Sequence, residues 1–334
     1  MQSVRDSLRI EFAALRTVGV QVVETPVLTR EECAETKSDL WDWMESLQRG
    51  IDRANPETWR GHAWPKNIHG IIEYPPASHT RAVWKVRANA KILAIFARLY
   101  KTDDLLVSFD RVCIHKPSAN QKSQKKWLHI DQAYATQGFR CVQGFVTLED
   151  MPAEGGTLQY IPGSAAYHKE FFEAFPARKK VTDDWLKFTE KELEWFRGKG
   201  LKVDAPSRVA AKAGQLVLWD SRTVHCGAYA QPGFQHLWRW VVYVCYAPRK
   251  KGTPENLLKK KRSAFEEGRQ TSHWPAPKRV CRKGALAWKG IKMFPVKPQW
   301  SQNQQDEPEE GVDKITTVEE LRALGEHVPA LAGF

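Results

Sequence analysis

LLVSFDRVCIH, residues 105–115, is where the chain changes period. Upstream, apolar residues recur every three or four positions. From Leu105 they gather into short runs rich in β-branched and aromatic side chains. Four more such runs follow: FRCVQGFVTLEDM (139–151), TLQYIPGS (157–164), QLVLWDSRTVHCG (215–227) and LWRWVVYVCYAP (237–248). Turn residues separate them, and several short strands spaced this way point to a β-sandwich or barrel. Between about 168 and 200 the helical pattern returns. Thr189 and Glu192 make a capping box and Gly198 a stop, so a helical insert is expected over one end of the β-region.

Working outward, VGVQVVETPVLTREECAETKSDLWDWMESL (18–47) reads as a short strand and then a helix, with Thr29 as N-cap and Glu32 three residues on. Residues 50–80, rich in Pro, Gly, His and Trp, read as loop. Val83, Val86, Ala90, Leu93 and Phe96 place one helix over Arg81–Leu99. After Pro248 the composition turns basic and irregular. SQNQQDEPEEG (301–311) reads as a solvated linker, and Thr317 with Glu320 caps a short final helix ending near Gly325. No internal repeat is visible. The expected division is therefore residues 1–248 as one β-rich domain and 249–334 as a basic extension, linker and short helix.

Composition narrows the class. The 334 residues are 42% hydrophobic, with 14 Trp, which is globular and not disordered. No apolar run is long enough to suggest a membrane span, and the charged N-terminal stretch does not read as a secretory signal. The six cysteines form no CxxC pair, which argues against a disulfide framework or zinc cluster. The simplest expectation is a reducing, intracellular compartment: the cytoplasm, with the nucleus left open by KKKR (259–262). The net charge of +12 is unevenly placed, because residues 249–293 hold fourteen Lys or Arg against three Glu.

The sharpest chemical signal is WLHIDQA (127–133). His129 and Asp131 are two apart, so on a strand both point to one face. A third ligand should end a later strand, and His225 in TVHCG does so. Two imidazoles and a carboxylate on one face leave positions open for a chelating cosubstrate and O2, which suits non-haem Fe(II). Against this stands an ordinary polar strand pair, since HxD alone recurs by chance. Arg239, inside LWRWVVY, adds weight. A buried Arg on a strand is costly without an anion, and the distal carboxylate of 2-oxoglutarate would be one. A structural salt bridge is the alternative role, and Arg249 is the rival Arg.

These segments together resemble the phytanoyl-CoA dioxygenase family, from about Val18 to Pro248. GVQVVETPVLTREEC is similar to the family's opening, WLHIDQA to its HxD segment, and FVTLEDMPAEGGTLQYIPGSAAYH to its Gly-rich turn, strand and Pro-Gly-Ser-His. AGQLVLWDSRTVHCG resembles its run to the distal His, with Gln215 where Asp is usual. The resemblance implies a mainly β protein with flanking helices and a double-stranded β-helix (jelly-roll, cupin-like) core. It implies a metal triad of His129, Asp131 and His225, with Fe(II), 2-oxoglutarate and O2 as cofactors. Arg239 matches the 2-oxoglutarate Arg, although its spacing from His225 is longer than usual. Lys116, in IHKPS, lies where a Lys-Pro can reach the cosubstrate. Gly227 departs from a usual Ser, so that hydroxyl contact is missing or comes from Ser221, Thr223 or Thr157. Asp131 favours hydroxylation, because related halogenases replace the carboxylate with a small residue.

Gln143 and Trp127 are expected to face the pocket or to pack behind it. Tyr134, close after the HxD, is a candidate substrate contact. His115, His168 and His236 read as structural, Asp220 as a turn cap and Cys226 as inert packing. The first functional reading is a dioxygenase that hydroxylates a small or medium-sized metabolite, which the basic charge would bias toward anions. A second is a nucleic-acid- or anion-binding protein on an oxygenase scaffold. A third is an oxygenase whose macromolecular substrate is recruited by residues 249–293. The bland reading of that segment is an extension docked through Trp274, Trp288 and Phe294.

Overall fold

A computed structural model describes residues 11–117, 127–235, 237–249, 254–276, 315, 317–325 and 328. In chain order the elements are helix α1 (Ala13–Thr17), β1 (Val20–Val22), α2 (Arg30–Ser46), β2 (Lys66–Ile68), β3 (Ile71–Tyr74), α3 (Arg81–Arg87), α4 (Ala90–Tyr100), β4 (Leu105–Val107) and β5 (Val112–His115). Then come β6 (His129–Ile130), β7 (Val142–Thr147), β8 (Thr157–Tyr160), α5 (His168–Ala174), β9 (Leu186–Lys187), α6 (Glu190–Gly198), β10 (Ser207–Arg208), β11 (Leu216–Asp220), β12 (His225–Ala228), β13 (Arg239–Pro248), α7 (Glu255–Glu266) and α8 (Val318–Arg322). The described residues gather into two compact units. One takes those of Gln2–Thr29 and His115–Val241, the other those of Arg30–Ile114 and Val242–Phe334. The division expected at residue 248 is therefore not the one the contacts draw.

The first unit holds two antiparallel sheets. In one, β1 pairs with β11 (Val20↔Trp219) and β11 with β7 (Leu218↔Gly144), and the Leu148 N–H donates to the Trp240 carbonyl at the start of β13. Gln215, at the position where Asp is usual in the resembling family, donates to the Glu24 carbonyl at 2.7 Å and accepts from the Lys212 N–H at 2.8 Å, tying the turn before β11 to the end of β1. In the other sheet the order is β10-β8-β12-β6-β9. One face of this sheet puts Leu128, Ile130, Ile161, Val224 and Cys226 into an apolar core. The 168–200 insert covers that face: Phe171 of α5 and Phe196 of α6 stack at 5.6 Å within the same core. The Thr189–Glu192 capping box starts α6. The insert also contributes β9 at the sheet edge, a two-residue strand too short to show a period. Two antiparallel sheets with helices outside make the double-stranded β-helix, or jelly-roll, fold.

In the second unit, residues expected as loop form the β2–β3 hairpin. His69 and Gly70 both have positive φ (54° and 82°), the requirement of a tight two-residue turn. The single helix expected over 81–99 is two helices. Asn89 accepts hydrogen bonds from the Lys91 and Ile92 N–H groups and starts α4 afresh. The segment after Pro248, expected as irregular, contains the twelve-residue helix α7. Its Lys261, Ala264, Phe265 and the following Gly268 repeat at helical spacing and are buried. The lysine at a stripe position is what hid the period. Gln270 and Thr271 then bond to Glu73 and Phe109, and the Ile315 N–H donates to His79. Residues 254–276 are thus part of this unit's core.

That core carries two buried cations. Terminal nitrogens of Arg87 donate to the Ser78 and Asp110 carbonyls, and its guanidinium lies 5.2 Å over the Trp84 ring. Burial lowers the Arg87 pKa to about 10. Lys261 Nζ donates to the Val107 carbonyl and sits 3.8 Å over the Phe109 ring. Burial, reinforced by Arg87 and Arg249, holds its pKa well below the ordinary lysine value. The five described cysteines are buried and form no disulfide with one another, and no helix among the described residues is long and apolar enough to cross a membrane.

Candidate metal centre

The candidate centre lies on the face of the five-stranded sheet opposite the insert. Strands β6 and β12 are antiparallel neighbours in which His129 and His225 are direct partners, so both imidazoles leave the same face. Asp131, two residues beyond His129, shares that side. The intervening Leu128, Ile130, Val224 and Cys226 point to the insert core instead. The strand period alone therefore separates ligand candidates from packing residues.

All three side chains are buried: His129 and His225 are 4% exposed and Asp131 is 8%. One ligand atom from each lies within 4.8 Å of the others. His225 Nε2 is 3.2 Å from Asp131 Oδ2, and His129 Nε2 is 3.6 Å from the same oxygen. The other ring nitrogens are engaged: Nδ1 of His129 lies 3.1 Å from the Trp127 carbonyl, and Nδ1 of His225 lies 2.7 Å from the Thr223 carbonyl. A carbonyl only accepts, so both Nδ1 atoms carry the proton in the neutral ring and both Nε2 atoms offer lone pairs. Burial, with a smaller contribution from His225, lowers the His129 pKa and favours that neutral form. In that tautomer both Nε2 atoms are turned toward the carboxylate. A cation is what such an arrangement lacks, and the donor set fits a borderline divalent metal.

The surroundings hold the three side chains in place. Trp127 stacks on His129 at 4.7 Å and 8°, and Trp185 lies 5.7 Å from it. The Asp131 N–H donates to the Ser221 carbonyl at 2.9 Å. Gln143 Nε2 donates to Asp131 Oδ2, so of its two expected positions it takes the one facing the centre. A Cβ at Gly227 would meet the Trp127 Cζ2 at 3.5 Å, an ordinary van der Waals contact, so Trp127 alone does not require glycine there.

Arg239 opens β13, is buried, and sits 5.5 Å over the Phe145 ring. It adjoins Gly156, where a Cβ would lie 2.9 Å from His115 Nδ1 and 3.6 Å from Arg239 Cδ. Lys116 follows β5, half-buried, with its pKa lowered by burial. The Thr157 hydroxyl donates to the Val209 carbonyl at 2.7 Å, so its single proton is committed to the backbone. Thr223 likewise donates to Gly19, and Ser221 Oγ accepts from Gln143. Asp220 caps its turn by accepting from the Arg222 N–H at 2.9 Å. His168 contacts the Gln132 carbonyl, and Tyr134 joins the aromatic core of the insert. Cys226 accepts from Gln159. His236, Trp288 and Phe294 lie outside the described residues.

Two residues that the sequence reading passed over lie beside the centre. Tyr160 is the cross-strand partner of His225 on β8, and burial raises its phenol pKa. Trp185 precedes β9, whose Lys187 partners His129. The signal for Tyr160 was its place two residues before Pro162 in a strand that must pair with β12. Trp185 gave none, because its strand is too short to read.

A jelly roll that gathers two imidazoles and a carboxylate on one face belongs to the class of cupin-like metal-centre proteins. More narrowly, the chain belongs to the phytanoyl-CoA dioxygenase (PhyH) family, whose model matches residues 15–230. It is 31% identical over 244 residues to Ava biosynthesis cluster protein O of Aspergillus versicolor, covering 70% of this chain and 76% of that protein. Among solved structures, a hypothetical protein of Escherichia coli shares the fold at 17% identity and a TM-score of 0.52, over 77% of this chain and 72% of that one. HygX of Streptomyces hygroscopicus, solved with nickel and 2-oxoglutarate bound, aligns at 16% identity and a TM-score of 0.46, over 72% of this chain and 86% of its own.

Proposed function

We propose that this chain is an Fe(II)- and 2-oxoglutarate-dependent dioxygenase that hydroxylates an unactivated C–H bond of a small or medium-sized organic substrate, with release of succinate and CO2. The observation that carries the reading is the convergence of three potential ligand atoms, His129 Nε2, His225 Nε2 and Asp131 Oδ2, in a buried site. Membership of an oxygenase family agrees with it. Bound Fe(II) would supply O2 activation coupled to oxidative decarboxylation of 2-oxoglutarate.

The chain's own residues bind and orient. His129, Asp131 and His225 would hold the metal. Arg239, buried beside Gly156, would take the distal carboxylate of 2-oxoglutarate in charge-assisted hydrogen bonds, and Lys116 is the second cationic candidate. Thr157 was a third candidate, but its hydroxyl proton goes to Val209, which leaves it no donor for an anion. Trp127 and Trp185 border His129 with apolar surface and limit water there. The nucleic-acid reading draws no support from residues 254–276, since Lys261 of the KKKR run is in the core.

The test is anaerobic addition of Fe(II) and 2-oxoglutarate, watching for the weak visible metal-to-ligand charge-transfer band. The band should form with the wild type and vanish in His225→Ala. Its absence from the wild type would sink the proposal.

A further inference from the structure

Gln143 is a buried amide set between two segments that carry ligand candidates. It stands on β7 opposite Trp219 of β11 and is 6% exposed. Its Nε2 donates to Asp131 Oδ2 at 2.9 Å and to Ser221 Oγ at 3.2 Å. The carboxylate cannot donate, so the amide must present its NH2 side here. Asp131 Oδ2 is also the oxygen that faces both imidazoles. Ser221 accepts the Asp131 N–H on its carbonyl and gives its own N–H to the Cys141 carbonyl at 3.0 Å. It opens the turn that leads to His225. The two hydrogens of one amide therefore close a ring: Asp131 carboxylate, Gln143, Ser221, Asp131 backbone.

Asp131 Oδ2 is the one carboxylate oxygen that faces both imidazoles, and rotation about its last torsion would turn it away from them. A donor on Oδ2 opposes the rotation. We propose that Gln143 is a positioning residue of the metal centre: by holding Asp131 Oδ2 and Ser221 Oγ together, it fixes the carboxylate toward the imidazoles and sets the turn that carries His225. The inference rests on reading the triad as a metal site, and it concerns preorganisation before metal arrives.

Gln159 provides a matched control. It is equally buried, on β8, but bonds to Cys226 Sγ on the face toward the insert. The experiment is titration of the metal-free full-length protein with Co(II) alone, followed by visible d–d absorption. Gln143→Leu should weaken Co(II) binding by about ten- to a hundredfold and change the band pattern. Ser221→Ala should give a smaller loss in the same direction, and Gln159→Leu should change neither affinity nor spectrum. Should Gln143→Leu not fold, Gln143→Asn, one methylene short of Oδ2, should show an intermediate loss. Wild-type affinity and spectrum in the Gln143 variants would overturn the inference, as would equal losses in Gln143→Leu and Gln159→Leu. A wild type that binds no Co(II) would remove the metal reading itself and this inference with it. That outcome is distinct from tight wild-type binding that ignores Gln143.

Discussion

Two buried charged clusters, one in each unit, are built in opposite senses. In the first unit, acceptors face acceptors: His129 Nε2 and His225 Nε2 stand 3.6 and 3.2 Å from Asp131 Oδ2. In the second, donors meet acceptors: Arg87 and Lys261 give their protons to the carbonyls of Ser78, Asp110 and Val107 and lie over aromatic rings. Both are rich in groups that attract attention in a sequence. The difference lies in completeness. The basic cluster has its acceptors and ring faces supplied by the protein itself, so it reads as structure. The acceptor cluster is unfinished without something positive, so it reads as function. Burial of charge alone does not distinguish the two, but the match of donors to acceptors does.

Four substitutions test that contrast. Asp131→Ala should have the largest effect, abolishing Fe(II) binding or leaving it too weak for turnover, measured by metal titration. The unfolding temperature of the apo protein should fall only modestly, through the Gln143 amide that loses its carboxylate. A large drop in that temperature would mean the cluster is structural after all. Arg239→Ala should raise the 2-oxoglutarate concentration needed for the charge-transfer band by about ten- to a hundredfold, the worth of a charge-assisted hydrogen bond. An unchanged requirement would pass the role to Lys116 or Arg249.

Gly19→Ala probes how the lone pairs are aimed. Gly19 has φ +93°, and a Cβ there would lie 2.3 Å from Thr223 Oγ1, next to the carbonyl that orients His225. We expect a stability loss of about 1–3 kcal/mol in denaturant unfolding, together with weaker metal binding. A loss of stability with metal affinity intact would separate the backbone from the imidazole's aim.

Lys261→Met addresses the other cluster. The folded-state pKa of Lys261 lies well below 10.5. Between those two values the unfolded chain binds one more proton than the folded one, so stability should rise with pH toward 10.5. The slope from this group is at most about 1.4 kcal/mol per pH unit. The variant should flatten that slope in urea unfolding at several alkaline pH values and leave metal binding alone. An undiminished slope would assign it to another group.

Much of the first unit was legible. Period two placed His129 and Asp131 on one face, and His225 followed in the expected order, although it opens β12 rather than ending β11. What the sequence concealed was concealed for physical reasons. Trp185 and β9 occupy too few residues to show a period, and Tyr160 joins the centre only through a cross-strand register. Gln143 could be placed near the pocket but not assigned to Asp131, because a glutamine reads alike in a core and beside a ligand. In the second unit, Asn89 ended one apparent helix by capping another. Lysine at a buried stripe position made α7 look like a solvated basic tail.

The pairing of β1 with β11 bears on the order of events during synthesis. Val20 meets Trp219 and the Gly19 carbonyl accepts from Asp220 and Thr223, while residues 30–114 intervene and build into the other unit. A ribosome releases β1 long before its partner exists, so the first strand must wait, unpaired, until β11 and β12 emerge. Contacts this distant in sequence close slowly. The candidate metal pocket is thus among the last features of its unit to form, and a nascent chain presents His129 and Asp131 without the third ligand while the 94 residues up to His225 are added.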